Sequence, residues 1–153
     1  MQLATKRISK IVMATHGSLG DLHPFIALGR ALQEQGCDVI LASHPDYRQK
    51  VEETGLRFAP FGASREAYVR DLRLNPQDII KRLSTDHGFM IKRLIAPYLE
   101  ASIHDIRPLI EDADLVLGSP FAYGAHIASE LCGKPYTALA LQPAVMLLSL
   151  IHI

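Results

Sequence analysis

Apolar residues in this chain alternate between short unbroken runs and spaced stripes, and that alternation predicts the elements. Residues 8–15 hold Ile11, Val12, Met13 and Ala14 in one run, the pattern of a parallel strand buried on both faces. Residues 24–35 set Phe25, Leu28, Ala31 and Leu32 on one helical stripe, with Pro24 predicted to open the helix and Gly36 to end it. A second run follows at 37–42, then a short polar helix at 45–54 closed by Gly55, and a third strand at 56–60. The β-α-β-α-β order predicts an α/β fold with a doubly wound, Rossmann-like parallel sheet and right-handed crossovers. Residues 64–110 read as helical, with breaks at Asn75-Pro76 and His87-Gly88. Met90, Leu94, Ile95, Tyr98, Leu99, Ile103 and Ile106 recur there at helical spacing, and Pro97 within the stripe predicts a kink or break. Strand pattern returns at 114–119. Pro120 is predicted to open a helix carrying Phe121, Ala125, Ala128 and Leu131 on one face. Gly133-Lys134-Pro135 stops it, and 136–141 predicts a last strand.

The segment from His16 to Pro24 carries the densest chemistry. A glycine-punctuated loop between a strand and a helix sits at the carboxyl end of a parallel strand, where open α/β sheets bind ligands. Gly17 and Gly20 permit close backbone approach, Ser18 lies between them, and the helix N-terminus adds N–H donors. Asp21 is a candidate base, and its plain alternative is a helix cap. His16 is a candidate for orienting a hydroxyl or sharing its proton, because an imidazole titrates near neutrality; the alternative is a polar loop residue. His23, before Pro24, is assigned a structural or rim role. Ser119 and Phe121 fall at another strand's carboxyl end on the same edge. The dinucleotide fingerprint Gly-x-Gly-x-x-Gly is absent, the second strand ends without a ribose-binding acid, and no Gly-Lys-Ser/Thr marks a P-loop. His16, Asp21 and His23 give three potential metal ligands without a fourth, so no metal is assigned.

The run from Gly17 to Leu32, with Gly-Ser-Leu-Gly-Asp-Leu-His-Pro at its head, resembles the start of GT-B glycosyltransferases. It is most similar to the sterol, macrolide and glycopeptide group, which shares a Gly-Ser/Thr-x-Gly-Asp-x-x-Pro pattern. The segments 36–43 and 55–62 extend the resemblance in order and spacing. The resemblance implies the acceptor-side half of an inverting, metal-independent enzyme. Such an enzyme moves a sugar from a nucleotide-sugar co-substrate to an acceptor hydroxyl and needs no other cofactor. It implies Asp21 at the base position, with His16 beside it, and Gly17, Ser18, Gly20, Ser119 and Phe121 on the substrate. The helices between 64 and 110 correspond to those that shape the acceptor cleft.

Composition narrows the class further. The 153 residues suffice for one domain, and 48% apolar with 21% charged residues is a globular profile. Sixteen basic residues balance sixteen acidic ones, so nothing marks a nucleic-acid surface. Cys37 and Cys132 read as buried or half-buried thiols of a reducing compartment, and no apolar leader core stands at the N-terminus. A cytoplasmic location is expected, with a peripheral membrane contact left open. Residues 1–147 are assigned to the acceptor domain. Residues 148–153, apolar and without a turn residue, are assigned to a non-native truncation tail, with an ordinary hydrophobic strand as the alternative. The His/Gly/Asn/Glu-rich donor signature of a second domain does not occur. The expected activity is therefore one that this stretch cannot complete alone. The alternative is a Rossmann-like module that binds a small ligand without catalysis.

Overall fold

The longest apolar run becomes the middle of the sheet. In the computed structural model, which describes residues 8–86 and 88–141, β1 (Lys10–Ala14) pairs in parallel with β2 (Asp38–Ser43) on one side and β4 (Leu115–Gly118) on the other. The edges are β3 (Arg57–Pro60) and β5 (Tyr136–Ala138), giving the order β3-β2-β1-β4-β5. Met13 lies level with Leu41 and Leu117, so the central rung is apolar on three adjacent strands.

The two-residue period of the strand divides the core. Val12 and Ala14 face Ile106 and Ile110 of α5 (Leu99–Glu111) and Ala125 and Ala128 of α6 (Tyr123–Leu131). Ile11 and Met13 face Leu22 and Phe25 of α1 (Leu19–Glu34) and Val51 of α2 (Arg48–Glu52). A third cluster stands apart from the sheet. It joins Tyr68 of α3 (Arg65–Leu72), Ile79 of α4 (Pro76–Thr85), Phe89 and Leu94.

Several boundaries differ from the sequence reading, for local reasons. Pro24 does not open α1; the helix starts at Leu19 and Pro24 lies inside it. Ser18 and Asp21 form a capping box that starts the helix earlier, and Pro24 removes only a donor near its beginning. The helix expected at 45–54 divides into a 3-10 turn, Pro45–Tyr47, and α2. Asn75 is more than a break, since its Oδ1 accepts the Asp78 N–H at 2.9 Å and caps α4. The break expected at Pro97 is present. A π-helical turn, Met90–Ile95, passes through a 3-10 turn, Ala96–Tyr98, into α5. Pro120 does not open α6, which begins at Tyr123 after a turn closed by the Ala122 N–H on the Ser119 carbonyl at 2.9 Å. Strand β5 ends at Ala138, short of the expected 141.

Both cysteines are free and half-buried. No helix among the described residues is long and apolar enough to cross a membrane. The expectations for the N-terminal segment 1–7, for His87 and for the tail at 148–153 fall outside the described residues.

Candidate functional site

The carboxyl ends of β1, β2 and β4 bring together residues far apart in sequence. The Ser119 N–H donates to the Ala14 carbonyl at 2.8 Å, and the Ser119 hydroxyl accepts the His16 N–H at 3.2 Å. The loops after β1 and β4 are thereby tied to each other. His16 and Ser119, both singled out from sequence, are buried side by side. Thr15, just before them, is buried with no hydrogen-bond partner for its hydroxyl among the described residues.

Asp21 sits one turn away and has a defined structural task. Its Oδ2 accepts the Ser18 N–H at 2.8 Å and the Ser18 hydroxyl at 3.1 Å, while Ser18 Oγ accepts the Gly20 N–H at 3.2 Å. The capping geometry is therefore real, and it uses one carboxylate oxygen. Oδ1 accepts no hydrogen bond among the described residues. Gly17 adopts φ +144°, and a Cβ there would collide with the Asp21 carboxylate. A side chain at 17 would thus displace the very group the loop presents. His23 is exposed on α1. Among the described residues no three His, Cys, Asp or Glu side chains gather as metal ligands.

His16 forms one end of a narrow slot. Phe61 and Gly62 of the loop after β3, Leu94 and Ile95 of the π turn, Tyr98, and Phe121 line the rest. Phe121 therefore joins the site as the sequence reading expected. On its floor Gly124 of α6 lies against Ser102 of α5, and a Cβ on Gly124 would strike the Ser102 hydroxyl. The cavity volume is about 10 Å³, room for about one water. Any larger occupant requires the π turn or its neighbours to give way.

Burial sets the chemistry of His16. Burial first, and the nearby His44 second, together push the imidazole pKa down from 6.5 to about 4. The ring is neutral at pH 7. Neither ring nitrogen has a hydrogen-bond partner among the described residues, so a lone pair is available to an incoming O–H. The ring centroid of His44 lies 5.3 Å from that of His16. His44 in turn contacts Tyr68 at 5.4 Å and Tyr47 at 6.0 Å, and its Nδ1 lies 3.5 Å from Asp46 Oδ2.

His44, Phe61, Tyr68 and Tyr98 were not among the sequence candidates. His44 immediately follows the second strand and Phe61 the third, so the strand-end rule that selects His16 also reaches them. Tyr68 and Tyr98 carry no such local signal; only tertiary packing brings the 3-10 turn to the slot and α3 against His44 behind it. The larger depression, about 220 Å³, lies at the opposite edge of the sheet, beside Lys10, Asp38, Arg57 and Asp112. Its charges are already paired, Lys10 with Asp112 and Arg57 with Asp38.

A parallel sheet in this order, with its loop chemistry gathered at the strands' carboxyl ends, defines a Rossmann-like domain of the GT-B type. The chain belongs to the glycosyltransferase family 28 N-terminal domain family, whose model matches residues 11–143. A sterol 3-beta-glucosyltransferase of Eremothecium gossypii is 31% identical over 137 residues, covering 84% of this chain and 10% of that protein. A sterol 3-beta-glucosyltransferase of Arabidopsis thaliana is 30% identical over 138 residues, covering 82% and 21%. Vancomycin aglycone glucosyltransferase of Amycolatopsis orientalis is 29% identical over 77 residues, covering 50% and 19%. Among solved structures, the glycosyltransferase SnogD from Streptomyces nogalater superposes with a TM-score of 0.66 at 21% identity, over 91% of this chain and 36% of that one. The chain thus spans about a tenth to a fifth of the length of these curated relatives.

Proposed function

We propose that this domain holds the acceptor in an inverting glycosyl transfer from a nucleotide-sugar to a hydroxyl of a lipid or natural-product acceptor. The observation that carries the reading is the pair of groups that follow β1. A buried, neutral His16 in the loop faces a slot, and Asp21 in the first turn of α1 keeps one carboxylate oxygen unengaged. The kinship with sterol and glycopeptide glucosyltransferases supports it. Asp21 Oδ1 takes the acceptor proton as the acceptor oxygen attacks the anomeric carbon. The bond from that carbon to the diphosphate breaks, and its electron pair leaves with the nucleoside diphosphate. His16 lines the slot and orients the acceptor by contact, and Gly17, Ser18 and Gly20 keep the approach open. The apolar walls at Phe61, Leu94 and Phe121 exclude water from the reacting pair. The nucleotide-sugar is held by a donor domain, and no step in the scheme uses a metal.

The test uses the complete gene product with a panel of nucleotide-sugars and lipid and polycyclic alcohols. Asp21→Asn keeps the shape and removes the base, and turnover should fall by a factor of about 10²–10⁴ while acceptor binding persists. Near-normal turnover in Asp21→Asn, with loss in His16→Gln, would transfer the base role to His16. Acceptor binding without turnover of any donor by the unmodified protein would favour the non-catalytic binding module instead.

A further inference from the structure

We infer that His44 is a positioning residue that sets the protonation and ring orientation of His16, through contacts made by three separate elements. The inference rests on the reading of His16 as an acceptor-facing group. His44 directly follows β2 and lies among rings: His16 at 5.3 Å, Tyr68 of α3 at 5.4 Å and Tyr47 at 6.0 Å. Asp46 stands at its Nδ1, 3.5 Å away, and that carboxylate is itself fixed because Oδ2 accepts the Arg65 N–H at 2.8 Å at the start of α3. A carboxylate at Nδ1 favours the tautomer with its proton there. Tyr47 donates to the Gly17 carbonyl at 3.4 Å, which ties the same cluster to the loop beside His16.

The charged and titratable groups facing His44 are thus Asp46 and Tyr47 on its own segment, His16 after β1, and Arg65 and Tyr68 on α3. Only Asp46 favours a cation on His44; burial and Arg65 oppose it. When pH falls, His44 shares its proton with Asp46, and the resulting cation 5.3 Å away opposes a second proton on His16. His44 therefore adds to burial, the larger cause, in keeping His16 an acceptor as pH falls. Its ring also limits the tilt open to the neighbouring imidazole, at an interplanar angle of 38°.

The inference is tested by NMR titration of the histidine ring signals in this protein. His44→Asn should raise the His16 midpoint by roughly one pH unit. Asp46→Asn should lower the His44 midpoint and raise that of His16 in the same direction, because His44 then stays neutral while His16 titrates. A purely structural role would lower melting temperature in both variants and leave the His16 midpoint unchanged, and that result would overturn the inference. If His44→Asn does not fold, Asp46→Asn decides alone. The titration is read without any sugar donor. Failure of transfer by the unmodified gene product would therefore remove the proposed reaction while leaving this result standing or fallen on its own.

Discussion

A methyl group at position 17 has nowhere to go. It would require an L residue at φ +144° and would collide with the Asp21 carboxylate. Gly17→Ala should therefore cost about 1–3 kcal/mol, a fall in melting temperature of about 2–4 °C per kcal/mol for a domain of this size. An unchanged melting curve would show that the loop relaxes without loss. His16 makes a second residue-scale prediction. Its folded pKa lies below the ordinary 6.5, so the unfolded chain takes up the proton first as pH falls. The stability held by this group is whole above pH 6.5 and is lost as pH drops towards 4, in total about 3 kcal/mol. Urea unfolding at a series of pH values should show that slope, and His16→Gln should flatten most of it, with the remaining part of the same sign arising from His44. At this scale the sequence located His16 and Ser119 at strand ends by position alone, whereas Asp21 was singled out through the family resemblance. It could not tell that His16 is buried, because burial depends on Phe61 and Leu94, which arrive from other segments.

Helix ends in this chain are decided by single polar side chains. Asn75 caps α4 through both its carbonyl and its amide, which donates to Asp78 Oδ2 at 2.7 Å. Asn75→Ala should weaken α4 by about 1 kcal/mol and speed amide exchange within Pro76–Thr85, with little change in β1. Equal acceleration in both places would mean that α4 and the sheet unfold together. The elements themselves were legible where periodicity was strong, as in β1, β2 and the α5 stripe. Their starts were less so. The reading trusted Pro24 and Pro120 as helix openers, yet Ser18 with Asp21 supplied a better start for α1. The Ser119–Ala122 turn used up the first residues expected of α6. Proline permits a helix start without requiring one, whereas a paired cap actively stabilises it.

The described residues form two cores that share the sheet and a third that does not. Phe25 is wholly buried against Met13 and its neighbours, and Phe25→Ala should cost about 3–5 kcal/mol and lower the single global transition. Leu94 belongs to the cluster under α3 and α4, and Leu94→Ala should instead loosen that region first. Hydrogen exchange that rose uniformly through the sheet in Leu94→Ala would show the clusters to be one cooperative unit. The parallel topology was readable because alternation of runs and stripes leaves few alternatives. The slot was not, since its walls come from four segments whose meeting depends on how the third cluster docks.

The π turn at Met90–Ile95 makes one wall of that slot a matter of chain length as much as of side-chain identity. A π turn holds about one residue more per turn than an α-helix, and each residue in an α-helix advances the face by about 100°. Removing Ile91, an exposed position, would let the segment relax to α geometry and swing Leu94 and Ile95 relative to α5. Point substitutions there would trim the wall, but a single-codon deletion would turn it. Insertions and deletions in this short stretch are therefore the changes by which related chains could most abruptly reshape this slot.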